Sequence, residues 1–572
     1  MPTTAVRLPI SCGLVLVFLA LLTLFIKPEH YEVDIFTAIP WFWVLIFAAA
    51  SIFIASIVWQ AYCGNYGWFG FSFFGLLLCS LSIFSLPVLR GYFLYGATDP
   101  NGHLIYTNKI LQTGHLSNDF YPISHIIAAV VAQITTLPPQ VSMGLLVPVF
   151  SALFSIFIYC LAPLVLGKRE RVAIAAAIGF LPFFTYYHIE FYPHGIALLL
   201  TSFVFYLLFK SSNDLRFSAL LVLVLLLVTF THPIISIIVV ASLFSVVIAE
   251  RMCRSRGLVK VRHFSWITGL IGGVVWFGWW TLAGAIDNFS QVIAWLRGET
   301  AAIPRINELT PATGQGLGFT IALALKMYSI PLVFLFIALA GAIIVLRRYY
   351  RRDSETVNAF IVTCVFAVSL VAFTFTFASG GLTTIGRLLG ANVGLWPLPL
   401  LAALPLAMVS KRKAGVVLVS ALIASSFIAG SCATFRSPWI SQANQQVTYQ
   451  ENAAYQWDEI YAQRTIAYSE IATSLGKIPT KDWELVPTQD IPPHFGYENN
   501  TTLKDALGRD TLILLGEQRQ RAVANNAALS ESTLSGTWGI SGITNDDLNK
   551  LQNDTSVNQI YVTGETEMLW IT

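Results

Sequence analysis

Two short polar stretches stand out in this chain. The first, GATDPNGHLIYTNKILQTGHLSNDFYPISH, runs from Gly96 to His125 and gathers Asp99, His103, Lys109, Asp119, Tyr121 and His125. The second, YYHIEFYPHG from Tyr186 to Gly195, adds His188, Glu190 and His194. Carboxylates and imidazoles move protons for attacking hydroxyls, and they bind divalent metals or phosphate groups. Asp99 comes just before Pro100, whose missing N–H costs nothing in a first helical turn. His103 follows four residues on, so carboxylate and imidazole share one helical face, and Gly114 is expected to end that helix. An Asp in this place also reads as a simple helix cap. Its grouping with several histidines favours chemistry, because ionisable groups at membrane depth are costly and tend to serve function. Asp99, His103 and Glu190 could share a divalent metal ion such as magnesium, manganese or zinc. Lys109, Tyr121, His125, His188, His194 and His232, the last in FTHP, are candidate substrate contacts. Arg387, in TTIGRLLGA, is a candidate phosphate partner, with snorkelling to the surface as its plain alternative.

Membrane helices must position these groups. Of 572 residues, 55% are hydrophobic and only 11% charged, and the mean hydropathy is +0.67. That composition excludes an ordinary soluble domain. Apolar runs near the length needed to cross about 30 Å of hydrocarbon occur at 8–26, 36–58, 67–89, 141–166, 172–187, 195–209, 217–230, 233–249, 264–285, 319–346, 357–377, 385–408 and 414–430. The reading is a polytopic α-helical membrane protein of about thirteen spans. The basic clusters GKRER, RMCRSRGLVKVR, RRYYRR and KRK belong on the cytoplasmic side. With the N-terminus inside, the loop at Gly96 and the polar tail both fall outside, provided that 121–138 does not cross. That segment is expected to be re-entrant or to lie along the membrane surface. The seven cysteines, mostly within spans or at the inner face, imply no disulfide framework.

From about residue 436 the chain turns polar. A helical run near 452–475, strand-like runs at 511–515 and 559–563, and a capped helix opening at Thr544 in TNDDLNKLQ read as a small α/β domain outside the membrane. No Gly-rich phosphate loop occurs in it or in the inner loops, which argues against a cytosolic nucleotide as substrate. Nothing in the chain points to nucleic acid.

An outer loop carrying Asp99, then His103, Gly114 and Tyr-Pro-x-x-His at Tyr121 to His125, following an outward span, resembles the first external loop of GT-C superfamily glycosyltransferases of archaeal and bacterial type. The resemblance implies that Asp99 is the catalytic carboxylate and Glu190 the acidic position of the second outer loop. It also accounts for a non-crossing 121–138. The division implied is residues 1–66 as N-terminal helices, 67–435 as the catalytic membrane region with its outer loop at 90–140, and 436–572 as the external domain. Oligosaccharyltransferases carry paired acids at the second motif and a WWD-type motif in the tail, and this chain has neither. The implied activity is therefore transfer of a sugar from a polyprenyl-phosphate donor to a glycan, lipid or protein acceptor at the outer face of the plasma membrane. A transporter or a non-catalytic assembly protein for envelope glycoconjugates is the alternative. A transporter would show paired repeats with broken helices, and none is found.

Overall fold

Backbone polar groups in hydrocarbon must satisfy one another, so apolar runs of membrane length become helices. The computed structural model describes residues 4–28, 30–96, 99–116, 119–211, 214–259, 266–282, 317–378, 395–440, 442–457, 493–497, 502–507, 512–515, 544–562 and 567–572. Eight helices among them are long and apolar enough to cross a membrane, from Val6–Phe25 to Lys413–Thr434. Shorter apolar helices, Phe69–Phe84, Leu215–Thr231, Trp266–Leu282 and Leu398–Val409, fall on four more of the expected runs. Large apolar side chains such as Phe18, Leu223, Phe277 and Phe336 are exposed on these helices, as a lipid-facing surface requires. His232 alone separates Leu215–Thr231 from Pro233–Ser255, in an extended conformation.

The expected span at 172–187 is not one helix. Its helix, Arg169–Ile178, is 10 residues long. Pro182 in GFLPFF has no N–H for a helical ladder, Thr185 takes a left-handed φ of 50°, and a 3-10 turn follows at Thr185–His188. The helix Lys413–Thr434 packs on this turn. Gly430 allows the approach, since a Cβ there would lie 2.7 Å from Pro182 Cγ.

Between the third and fourth expected spans, two further helices follow each other and pack together. The first, Asp99–Thr113, stops at Gly114, which takes a φ of 69° as the sequence requires. The second, Pro122–Thr135, has 14 residues, or roughly 21 Å of helix, too short to cross about 30 Å of hydrocarbon. Ser124, His125, Ala128 and Ala132 are buried on one side of it, while Val130 and Ile134 face out.

A two-stranded antiparallel ribbon, Leu94–Tyr95 with Gln446–Val447, joins this loop to the chain beyond the last span. Gly96 ends the ribbon with a φ of 101°, and a Cβ there would lie 2.5 Å from Pro100 Cγ. A buried latch supports the ribbon. Glu32 pairs with Arg90 and accepts from Tyr92, its N–H donates to Gln446 Oε1 at 2.7 Å, and its carbonyl accepts from Asn444 Nδ2 at 2.7 Å.

In the tail, strands Leu512–Leu515, Glu567–Ile571 and Val557–Val562 form an antiparallel sheet with Glu567–Ile571 in the centre. The helix Asn545–Asn553 opens on the expected cap, with Thr544 and Asp547 in a reciprocal capping box. Phe495, Leu503, Leu548, Leu551, Leu569 and Ile571 form the core of this unit. Helix Tyr449–Trp457 begins where a run at 452–475 was expected, and residues 458–475 lie outside the described residues.

Removing one partner of a buried ion pair leaves the other charge uncompensated, at a cost of about 3–5 kcal/mol. Arg90→Met should therefore lower the thermal midpoint of the detergent-solubilised protein by several degrees. An unchanged midpoint would show that Glu32 finds solvent without its partner.

Candidate active site

The broken 172–187 segment brings Glu190 into the interior. It lies between the 3-10 turn and the helix Pro193–Leu199 and is 1% exposed. A carboxylate so placed needs a partner, and Arg436 supplies it. Arg436 Nε donates to Glu190 Oε1 at 3.0 Å and Nη2 donates to Oε2 at 3.3 Å, so both carboxylate oxygens are engaged. The guanidinium also lies 5.1 Å from the Tyr186 ring centroid, and the Arg436 N–H donates to Tyr95 Oη at 3.1 Å. Burial pushes the Glu190 carboxyl up from its ordinary value. Arg436 and a hydrogen bond from Tyr192 oppose that rise, and the charge of Asp99 adds to it.

Asp99 is exposed at the first turn of its helix, where a carboxylate complements the positive helix end. Its charge is felt by Glu190, Tyr186, Tyr192 and Tyr121. Burial raises the Tyr121 phenol to about 12, with Asp99 and Asp119 adding to the shift. The carboxylate thus shares one electrostatic neighbourhood with the 186–192 segment, about ninety residues away in sequence.

Four residues along, His103 packs among Tyr121, Phe191 and Tyr192, with ring centroids 5.9 to 6.4 Å away. Its Nδ1 is 2.9 Å from His125 Nε2, and His125 Nδ1 is 2.6 Å from Asp119 Oδ2. The His125 and Asp119 side chains are 0% and 3% exposed. Tyr106 stacks on His125 at 5.2 Å and 12°, and Tyr121 N–H donates to Asp119 Oδ1 at 2.9 Å. Burial, reinforced by His125, holds the His103 imidazole well below its ordinary pKa. Tyr121 stacks on His232 at 5.2 Å and 5°, and His194 meets His232 edge-on at 4.9 Å.

Asp99, His103, Tyr121, His125, Glu190, His194 and His232 are thus brought together by contacts or through the charge of Asp99. Two other candidates are not. Lys109 is exposed ten residues along the helix from Asp99, roughly 15 Å. His188 Nδ1 meets Ser151 Oγ at 3.0 Å, Nε2 accepts from Phe184 N–H at 3.4 Å, and the ring stacks on Phe84, so it serves packing. His232 also caps Pro233–Ser255 through Nδ1. Arg387 lies outside the described residues.

Asp99, His103 and Glu190 do not form a preassembled metal site among the described residues. Arg436 occupies both Glu190 oxygens, and no group of three His, Cys, Asp or Glu side chains among the described residues is arranged to hold an ion. Arg436 went unseen in the sequence, where the only sign is an arginine just past the last span in TFRSPW.

Arg436→Met should destabilise the protein by about 3–5 kcal/mol, and adding Glu190→Gln should recover most of that loss. Thermal unfolding of both single variants and the double variant measures the coupling. Additive losses would mean that the two side chains act independently.

No family model and no curated protein matches the chain. Solved structures resemble it at low identity. The Archaeoglobus fulgidus oligosaccharyltransferase in complex with zinc and sulfate is 13% identical with a TM-score of 0.42, the match covering 67% of this chain and 55% of that one. This chain thus spans about half of that protein. The archaeal oligosaccharyltransferase AglB from the same organism, in complex with an inhibitory peptide and a dolichol-phosphate, is 11% identical with a TM-score of 0.47, covering 83% and 72%. ArnT from Cupriavidus metallidurans bound to undecaprenyl phosphate is 12% identical with a TM-score of 0.44, covering 88% and 98%.

Proposed function

We propose that this protein is a membrane glycosyltransferase that moves a sugar from a polyprenyl-phosphate donor to an acceptor hydroxyl or amide. The reading rests on one observation above all. An exposed carboxylate, Asp99, shares its surroundings with a buried ion pair and a set of tyrosines and histidines drawn from separate loops. Such convergence serves a common substrate better than it serves packing, because each buried polar group must be satisfied at a cost.

In this reading the acceptor's proton passes to Asp99 as its oxygen or nitrogen attacks the anomeric carbon. The bond from that carbon to the phosphate oxygen breaks, and its electron pair leaves with the phosphate. Arg387 is assigned the departing phosphate, as expected from the sequence. Tyr121, His194 and His232, which stack on one another, are assigned to the sugar. The acceptor is a glycan, lipid or protein. The protein is assigned to the plasma membrane, with its N-terminus cytoplasmic and both the Asp99 loop and the tail outside.

General-base catalysis contributes about 10²–10⁴-fold. Asp99→Asn, which keeps the side chain's size, should therefore lose at least two orders of magnitude in turnover from a polyprenyl-phosphate sugar while retaining its melting temperature and lipid binding. Wild-type turnover by this variant would return Asp99 to the role of a helix cap. The orientation is checked in a background freed of native cysteines. Cysteines placed at Gln112 and Ser530 should react with a membrane-impermeant thiol reagent in intact cells, and protection of either would overturn the arrangement.

A further inference from the structure

Lys326 stands at one end of the apolar span Leu325–Tyr350. Arg347, in the basic last turn of the same helix, is twenty-one residues further on, or roughly 31 Å away. That is about the thickness of the hydrocarbon core, so with Arg347 at one membrane surface Lys326 lies at the headgroup level of the other. A lysine at this depth ordinarily stretches its ammonium into water. Here the ammonium is held against the 3-10 turn Pro438–Ile440. Its Nζ donates to the Trp439 carbonyl at 3.0 Å and lies 5.0 Å from the centroid of the Trp439 ring. Neither partner carries a full negative charge, and among the described residues no carboxylate pairs with Lys326. The cation is therefore held in place but not neutralised.

Its surroundings fit an amphiphilic anion. Lys326 is exposed, and Val333, seven residues on and so on the same helical face, is exposed on the membrane side of it together with Phe336. A positive charge thus stands over an apolar, lipid-facing strip. The strip borders the candidate site, because Trp439 follows Arg436 by three residues and Tyr328, on the other side of the helix from Lys326, falls within the field of Arg436. An ammonium is a point charge with three donors and binds a phosphate from many directions, which suits a headgroup arriving by diffusion in the bilayer. Lys27 is the useful contrast. It is also exposed and also donates to a carbonyl, that of Leu89, but the chain next to it is taken up by the pair Glu32–Arg90.

We propose that Lys326, held in place by Trp439, is the docking contact for the phosphate of the polyprenyl carrier at the membrane edge of the site. The proposal rests on the glycosyltransferase reading above and extends it from the reacting groups to the entry of the lipid. No bond is made or broken at Lys326. It holds the carrier's phosphate at headgroup level while the tail stays in the bilayer, so its loss falls on the donor KM and leaves kcat unchanged.

Native mass spectrometry of the purified full chain, titrated with undecaprenyl phosphate, tests the contact without any assay of activity. Lys326→Gln should bind this lipid roughly 10- to 100-fold more weakly than the wild type, the value of a hydrogen bond to a charged group, at an unchanged melting temperature. Lys326→Arg should keep most of the affinity, and Lys27→Gln all of it. Undecaprenol, which has the tail without the phosphate, should bind the wild type and Lys326→Gln alike. Equal affinity of the wild type and Lys326→Gln for undecaprenyl phosphate overturns the proposal. So does an equal loss of phosphatidylglycerol binding in Lys326→Gln, which would make Lys326 a contact for phospholipid headgroups at large. In turnover, Lys326→Gln should raise the donor KM by the same factor as it weakens binding, and a fall in kcat at unchanged KM also overturns the proposal. A wild type that binds undecaprenyl phosphate through Lys326 but transfers no sugar from a panel of polyprenyl-phosphate sugars overturns the transferase reading instead and upholds the lipid-phosphate contact.

Discussion

A charge taken out of water must be matched where it lies, and the pair Glu190–Arg436 imposes that condition on most of the site. Glu190 reaches the interior only because the expected span at 172–187 breaks at Pro182. Arg436 meets it only because the Lys413–Thr434 helix comes close through Gly430. Tyr95 completes the arrangement by accepting from the Arg436 backbone. Three distant segments are thus held in one geometry by hydrogen bonds that lose their value if any of them shifts, since a half-satisfied buried charge is worse than none.

The apolar runs were plain in the sequence because hydropathy over about twenty residues is a local property. Asp99, Gly114 and Thr544 were equally plain, since helix starts and stops depend on neighbouring residues. The break at 178–185 was not, although Pro182 and Gly179 stand in the sequence, because the residues around them remain uniformly apolar. The central tail strand Glu567–Ile571 went unseen while its neighbours were read. Glu190 could be singled out as an acid in a short loop between apolar runs, but its partner could not. Arg436 is 246 residues away, and pairing at that distance is decided by packing rather than by any local pattern.

The polar groups divide by the burden they carry. Glu32 with Arg90, and Glu190 with Arg436, are matched on the spot and hold segments together. His188 is satisfied by Ser151 and the backbone and belongs to the packing. Asp99 is exposed. His103, half-buried, and His125, fully buried, stand between these groups, joined in a hydrogen-bonded chain that ends at Asp119.

The short ribbon between Leu94–Tyr95 and Gln446–Val447 has a consequence for biogenesis. Its strands, like Tyr95 and Arg436, lie some 340 residues or more apart, and closing so long a loop is among the slowest and latest events in folding. The loop that holds Asp99 is made early, but its ribbon partner emerges from the ribosome only after the Lys413–Thr434 helix. Glu190 also waits until then for its counter-ion. The site is therefore assembled last, and a nascent or truncated chain ending before residue 436 would display every loop residue named here without the geometry that joins them.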